Sequence, residues 1–292
     1  MRRNPILIGL ALLGIVLLFF FISIYGISRL SPGRIIGEGG KVGVIPISGV
    51  VLDPRETVDQ IKAFRQQGEV KALVIRIDSP GGGVGPSQEI YRELEKISDK
   101  KVVASMGAVA ASGGYYIALG AQKIYSNPGT ITGSIGVIMG SYNIEGLLKK
   151  LGLKSYTIKS GRYKDVGSPL REMTQEDREL LEGVINSAHR QFVDAVVKRR
   201  KLPREKVIEI ADGRILTGEQ AKKLGLVDEL GNLEDAIEGA ARMAGIKGKP
   251  EVVYPRRRFS LLEFLLGMSL KGLLERLIYG DYSLNYLLLP RS

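Results

Sequence analysis

Twice in this chain a short strand-like run stops at a cluster of small residues and restarts as a helix. Residues 72–77 read Ala-Leu-Val-Ile-Arg-Ile, a β-branched run of the length a buried strand needs. Asp78-Ser79-Pro80-Gly81-Gly82-Gly83 breaks it, and residues 86–97 then carry the apolar spacing of an amphipathic helix. Residues 101–105 form another strand-like run. Residues 112–119 form the next helix, opened by Ser112 among alanines and glycines. Such strand–turn–helix units predict an α/β domain with a mostly parallel sheet and flanking helices. Further strands are expected over 42–51, 123–126 and 154–159, and a helix over 57–67. Thr174 opens a long helix, with Asp177 three residues on in a capping-box position. Leu180, Leu181, Val184, Ile185, Ala188, Phe192 and Val196 give it an apolar packing stripe. Shorter helices are expected near 203–211, 218–224 and 232–244.

The domain expected over residues 41–250 is flanked by segments of different character. Residues 5–27 are almost wholly apolar and carry no charge. A run of about 23 residues, rising about 1.5 Å each, can cross a hydrocarbon core of about 30 Å. A cleaved signal peptide has a shorter apolar region and a small-x-small site. Ser23-Ile24-Tyr25-Gly26 fits that site poorly, so residues 1–30 read as one N-terminal transmembrane helix, an uncleaved anchor. Arg2 and Arg3 precede the run and Arg29, Arg34 and Lys41 follow it, so local charge barely discriminates orientation. The short N-terminal tail predicts a single-pass cell-membrane protein with its bulk outside the cytoplasm. Residues 31–40, rich in Gly, Pro and Ser, read as a linker. Residues 251–292 form an amphipathic tail. Its stretch 259–278 is interrupted by Glu263, Lys271, Glu275 and Arg276, and so suits an interfacial or subunit-packing helix better than a second span.

Composition removes several chemistries. The chain has no Cys and one His, His189, so thiolate nucleophiles, disulfides, thiolate metal sites and multi-histidine zinc sites are excluded, and neither a metal nor a cofactor is expected. His189 lies beside the apolar stripe of the long helix, as a surface or rim residue. The net charge of +11 is concentrated in part in Lys198-Arg199-Arg200-Lys201 and Arg256-Arg257-Arg258. No aromatic residues interleave these runs and no nucleic-acid motif accompanies them, so they read as solvated or membrane-facing surface, with no nucleic acid as partner.

Ser112 has two readings on its own: an N-cap on a packed helix, or a nucleophile at a strand-to-helix junction whose small neighbours admit substrate. The turn Ser79-Pro80-Gly81-Gly82-Gly83 is either an ordinary tight turn or one whose bare N–H groups receive a peptide or phosphate. Downstream, Ser160-Gly161-Arg162-Tyr163-Lys164-Asp165 offers an amine beside Gly and Pro punctuation. Lys164 is a base, a substrate-anchoring charge or a surface lysine, with Lys159 as a competitor. With a single His far downstream, a lysine is the better partner for a nucleophilic serine.

The motifs together resemble the signal peptide peptidase A family of membrane-bound Ser/Lys proteases, within the Clp protease/crotonase superfamily. The resemblance runs from about residue 41 to 245. It is carried by Ile77-Asp78-Ser79-Pro80-Gly81-Gly82-Gly83, the Ser112 string, Gly129-Thr130-Ile131-Thr132-Gly133-Ser134-Ile135-Gly136-Val137, Lys164-Asp165-Val166-Gly167-Ser168-Pro169, and Ala221-Lys222-Lys223-Leu224-Gly225-Leu226-Val227-Asp228. It implies a Clp protease/crotonase-like fold, Ser112 as nucleophile, Lys164 as general base, Ser134 orienting the lysine, and the N–H groups of Gly82 and Gly113 as oxyanion hole. It also implies a homo-oligomeric ring, in which Lys164 can serve Ser112 of a neighbour, and hydrophobic peptide substrates such as cleaved signal peptides met at the membrane. A protease cutting stomatin-like partners and a crotonase-type coenzyme A lyase or isomerase are the alternatives. The Clp protease's own histidine has no counterpart here before His189.

Overall fold

Three long strands carry the sheet, and each is buried because apolar side chains leave it on both faces. The computed structural model describes residues 40–255, together with Gly14, Leu18 and Phe19. The central strands β1 (Lys41–Ser48), β2 (Val70–Ser79) and β3 (Lys101–Ala111) run parallel. Leu73, Ile75 and Ile77 of β2 are fully buried against helices α1 (Arg55–Gln66), α2 (Val84–Glu95) and α3 (Gly113–Ala118). Val42, Val44, Val74 and Val103 pack on the other face with Ala236, Ile237 and Ala240 of the helix Leu233–Met243. Burying one such aliphatic side chain is worth about 1.5–3 kcal/mol, which is why a near-continuous apolar run becomes an interior parallel strand.

The edge strands are short. β4 (Lys123–Ser126) pairs with the first half of β3, and β5 (Ile131–Gly133) takes its place beside the second half. β6 (Ile215–Thr217) adds antiparallel to β5, β7 (Glu229–Leu230) adds to β4, and β8 (Glu251–Val253) adds to β1. The sheet thus reaches Val253, three residues past the boundary read from composition. All the described pairings except that of β5 with β6 are parallel, as expected.

The remaining helices are α4 (Glu145–Lys150), α5 (Gln175–Arg200), α6 (Arg204–Ile210), α7 (Gly218–Lys223) and α8 (Leu233–Met243). The capping box expected at Thr174 is complete: the Asp177 N–H donates to Thr174 Oγ1 and the Thr174 N–H donates to Asp177 Oδ2, each at 3.1 Å.

Two expectations are corrected. Residues 154–159 form no strand; they are exposed, with Ile158 fully so, because an alternating pattern becomes a strand only where a sheet edge receives it. Of the expected stripe on α5 only Phe192 and Val196 are buried, joined by Val193 and Ala195, whereas Leu180 and Val184 face outward. The anchor expected over residues 5–27 and the helix expected over 259–278 lie outside the described residues. Among the described residues no helix is long and apolar enough to cross a membrane.

Candidate active site

Register brings the motif residues together. Ser79 of β2 lies opposite Ala110 of β3, and Ala111 of β3 lies opposite Gly133 of β5. The chain therefore leaves three parallel strands side by side, as Pro80-Gly81-Gly82, Ser112-Gly113 and Ser134. The carboxyl ends of parallel strands are where open α/β sheets place ligands. Buried hydroxyls pin the junction: Ser79 Oγ accepts from the Gly81 N–H at 3.1 Å, and Thr132 Oγ1 donates to Ala110 O at 2.7 Å.

Ser112 sits at φ 51°, ψ −119°, a backbone state that costs a non-glycine residue about 1–3 kcal/mol. Two main-chain bonds hold it there, Ser112 N–H to Gly133 O and Tyr116 N–H to Ser112 O, both 2.9 Å. Ser112 occupies the N-cap position of α3, but its side chain makes no capping bond to the helix, which leaves Oγ uncommitted to that role. Close packing surrounds it. A Cβ on Gly113 would lie 2.4 Å from Ser87 Oγ and 3.2 Å from Gly82 N, and one on Gly82 would lie 2.2 Å from Val51 O. Val51 N–H to Gly81 O (2.8 Å) and Gly83 N–H to Val51 O (2.9 Å) fasten the turn on either side of Gly82. Among the described residues, neither the Gly82 nor the Gly113 N–H has a protein acceptor.

Ser112, Gly82, Gly113 and Ser134 line one cleft of about 550 Å³. Val84, Tyr116, Ile138, Ile185 and Phe192 give it apolar walls. Its carboxylate, Asp212, is engaged by Arg214 Nε and Nη2 at 2.8 and 2.7 Å. Ser134, like Ser112, has positive φ (49°), and its N–H donates to Arg214 O at 2.8 Å. A hydroxyl on strained backbone beside two unpaired amides can attack a carbonyl carbon while the amides take its oxygen.

Lys164 is elsewhere. It is exposed and is not among the residues lining the cleft. It sits in a run of turns closed by Lys164 N–H to Gly161 O, Val166 N–H to Tyr163 O and Ser168 N–H to Asp165 O. Its rival Lys159 is committed: its ammonium donates to Asp165 Oδ1 at 2.6 Å and to Arg162 O at 2.9 Å. Arg171 approaches the same carboxylate with Nε at 2.9 Å and Nη2 at 3.1 Å, and Arg171 together with Lys159 holds Asp165 well below the usual carboxylate range.

The pattern of peptidase family S49 matches residues 95–247, which include Ser112, Ser134 and Lys164. The chain belongs to peptidase family S49. The Clp protease pattern matches residues 52–130 and so takes in Gly82 as well. A provisionally named protease of Synechocystis sp. is 50% identical over 210 residues, covering 70% of this chain and 75% of the relative. One of Methanocaldococcus jannaschii is 36% identical over 237 residues, covering 80% and 76%. A protein of Enterococcus faecium, provisionally named signal peptide peptidase SppA, is 38% identical over 213 residues, covering 68% and 62%. This chain is a serine protease of the SppA group within the S49 family.

Two features of this S49 protease escape a reading of the sequence. His189 is a cleft residue, with Nε2–H donating to Ala211 O at 2.8 Å; it meets there the segment of Ala211, Asp212 and Gly213, more than 20 residues on in sequence. The run Lys198-Arg199-Arg200-Lys201, expected as solvated or membrane-facing surface, is largely structural. Arg199 donates to Leu119 O (2.7 Å), the C-cap of the helix that Ser112 opens, and to Ala121 O (2.8 Å) just beyond it. Arg200 forks onto Asp228 at 2.9 and 2.7 Å, and Lys198 reaches Glu95. Helix α3 is thereby clamped to α5.

Proposed function

We propose that this protein is a membrane-anchored endopeptidase that cuts remnant signal peptides and other apolar segments with a Ser112/Lys164 dyad. The observation that carries the reading is Ser112 itself: strained, not capping its helix, and flanked by the unpaired amides of Gly82 and Gly113. Ser112 Oγ attacks the scissile carbonyl as neutral Lys164 Nζ takes its proton. The oxyanion is received by the two glycine N–H groups, while Ser134 hydrogen-bonds the lysine and orients it. The ammonium then returns the proton to the leaving amine. Water, deprotonated by the same lysine, hydrolyses the acyl ester and releases Ser112. The apolar walls of the cleft suit apolar side chains, and the apolar run over residues 5–27 would hold the site at the membrane where such substrates arise.

The dyad forms between copies of the chain in a homo-oligomeric ring, Ser112 from one and Lys164 from the next. This is supported by the exposure of Lys164 in the single chain and by the exposed Ile138, Leu147, Leu151, Tyr156 and Ile158 on the stretch that leads to it. A neighbour covering those side chains would also take the lysine out of water, and burial disfavours a charged amine.

The test is cleavage of an apolar reporter peptide by the full chain across pH. Ser112→Ala and Lys164→Ala are both expected to abolish turnover, and wild-type activity should rise with pH as the lysine deprotonates. Turnover by Ser112→Ala overturns the nucleophile. A flat pH profile overturns the lysine base.

A further inference from the structure

We propose that Arg171 is the positioning residue for Lys164: its guanidinium ties the turn that carries Lys164 to the first turn of α5, the helix that walls the Ser112 cleft. The inference rests on the Ser112/Lys164 reading above and adds a residue to it.

The stretch that carries Lys164 has little else to hold it. Residues 151–164 are all exposed, so burial of apolar surface does not fix their place. The stretch meets α5 at two places, the exposed pair of Arg162 with Glu176 and the more buried Arg171 with Asp177. Nε and Nη2 grip the two carboxylate oxygens of Asp165, the residue after Lys164, and Nη2 also donates to Asp165 O at 3.2 Å. Nη1 donates to Glu172 O at 2.9 Å and to Asp177 Oδ2. Asp177 is a buried carboxylate that already accepts from the Thr174 N–H in the capping box of α5. Farther along α5, Ile185, Ala188, His189 and Phe192 line the cleft. One guanidinium thus ties the neighbour of Lys164 to the first turn of α5, and so fixes how this copy presents Lys164 to Ser112 of the next. A fork of this kind fixes angle as well as distance, which a lysine in the same place would not.

The arrangement also balances charge. A bare carboxylate beside Lys164 would favour its ammonium form, and the base must be neutral. Asp165 carries two cations, Arg171 and Lys159, and its charge is spent on them. Of the other charged groups of the neighbourhood, Arg162 pairs with Glu176, and Glu145 with Lys149 on α4, which is joined to this region through Ile144 N–H to Pro169 O at 2.8 Å; the Glu172 carboxylate acts on Lys149 through space. Glu172 lends its carbonyl to Arg171.

Arg171→Met, Arg171→Lys, Asp165→Asn and Lys164→Ala are compared in the full chain, with turnover of an apolar reporter peptide followed across pH and folding followed by circular dichroism. Misplacing a catalytic group by about 1 Å costs on the order of 100-fold. Arg171→Met is expected to lower kcat by roughly 10–100-fold with a smaller change in KM, and to move the alkaline rise to higher pH. Asp165→Asn is expected to lower kcat and move the rise to lower pH, since Asp177 then faces two cations and one positive charge is left in excess. Arg171→Lys keeps the charge and loses the fork, so kcat falls part-way and the rise stays in place. Opposite pH displacements support the proposal, because loosened packing alone moves both variants the same way or neither. Wild-type kcat in folded Arg171→Met, or an unmoved pH rise in both variants, overturns it. If Arg171→Met does not fold, Arg171→Lys decides: wild-type kcat there overturns the proposal. Full turnover by Lys164→Ala brings down the dyad itself, an outcome separate from any result at Arg171.

Discussion

Substituting Gly82 by alanine tests whether backbone amides, rather than a side chain, receive the oxyanion. The added Cβ would lie 2.2 Å from Val51 O, 2.6 Å from Val51 N and 2.7 Å from Val51 C, all main-chain atoms held by the two hydrogen bonds that flank Gly82. A carbon needs about 3.5–4.0 Å from such atoms, so the turn has to retreat by about 1 Å or more. An oxyanion donor must sit about 2.7–3.1 Å from the oxygen, and a displacement of that size removes Gly82 from the pair. Loss of one donor costs about 100–1,000-fold in kcat, about 2.7–4 kcal/mol of transition-state stabilisation. Gly83→Ala is the control in the same turn. Gly83 has ordinary backbone angles (φ −60°, ψ 138°), and a Cβ there meets the ring of Pro86 at 3.0 Å and nothing of the main chain closer than 3.8 Å. The assay is kcat and KM on an apolar reporter peptide, with thermal unfolding to confirm that both variants are folded at the assay temperature. Gly82→Ala is expected to lose turnover by at least about 100-fold while Gly83→Ala stays within a few-fold of wild type. Equal kcat in the two folded variants would refute the assignment of the Gly82 N–H to the oxyanion.

Mixing inactive variants tests the shared site. If Ser112 works with Lys164 of the partner subunit in a ring, co-assembly of Ser112→Ala with Lys164→Ala chains in equal amounts regenerates about a quarter of the sites, because each interface draws one residue from each copy. Activity that stays at the level of the separate variants after dissociation and reassembly counts against a dyad between copies. Acid stability tests the anchoring of α5. Arg171, and next the Thr174 N–H, hold the Asp177 carboxyl down to about 2 from its ordinary 3.8. A depressed carboxyl contributes stability that is fully present above about pH 4 and is lost as pH falls towards 2. Asp177→Asn should therefore be less stable than wild type at neutral pH and lose less between pH 4 and 2, read as thermal midpoints. Midpoints that fall in parallel would show that Asp177 is not the group responsible.

What could be seen in the sequence follows the strength of the local signal. β2 is legible because β-branched residues fill both its faces, and α5 because its N-terminus carries a reciprocal cap. The second half of β3, Met106 to Ala111, is not legible, since Gly and Ala have weak strand preference and only pairing with β2 and β5 makes them a strand. That missed half sets the site, because its register delivers Ser112 beside Gly82 and Ser134. The basic run on α5 misleads for a related reason. A charge in sequence has no visible partner, and Arg199 finds its carbonyls about 80 residues away. Lys164 shows the limit most sharply. Motif order ties it to Ser112, but order along a chain holds no statement about which copy of the chain completes a pair. The fold puts Ser112 at the end of the most buried strands and Lys164 on the most exposed stretch. Burial is what a serine on strained backbone needs to stay strained, and exposure is what a lysine needs if its surroundings are to be supplied by another subunit. The separation of the two residues in one chain is therefore a property that the dyad reading requires to be repaired by assembly, and the mixing experiment measures that repair directly.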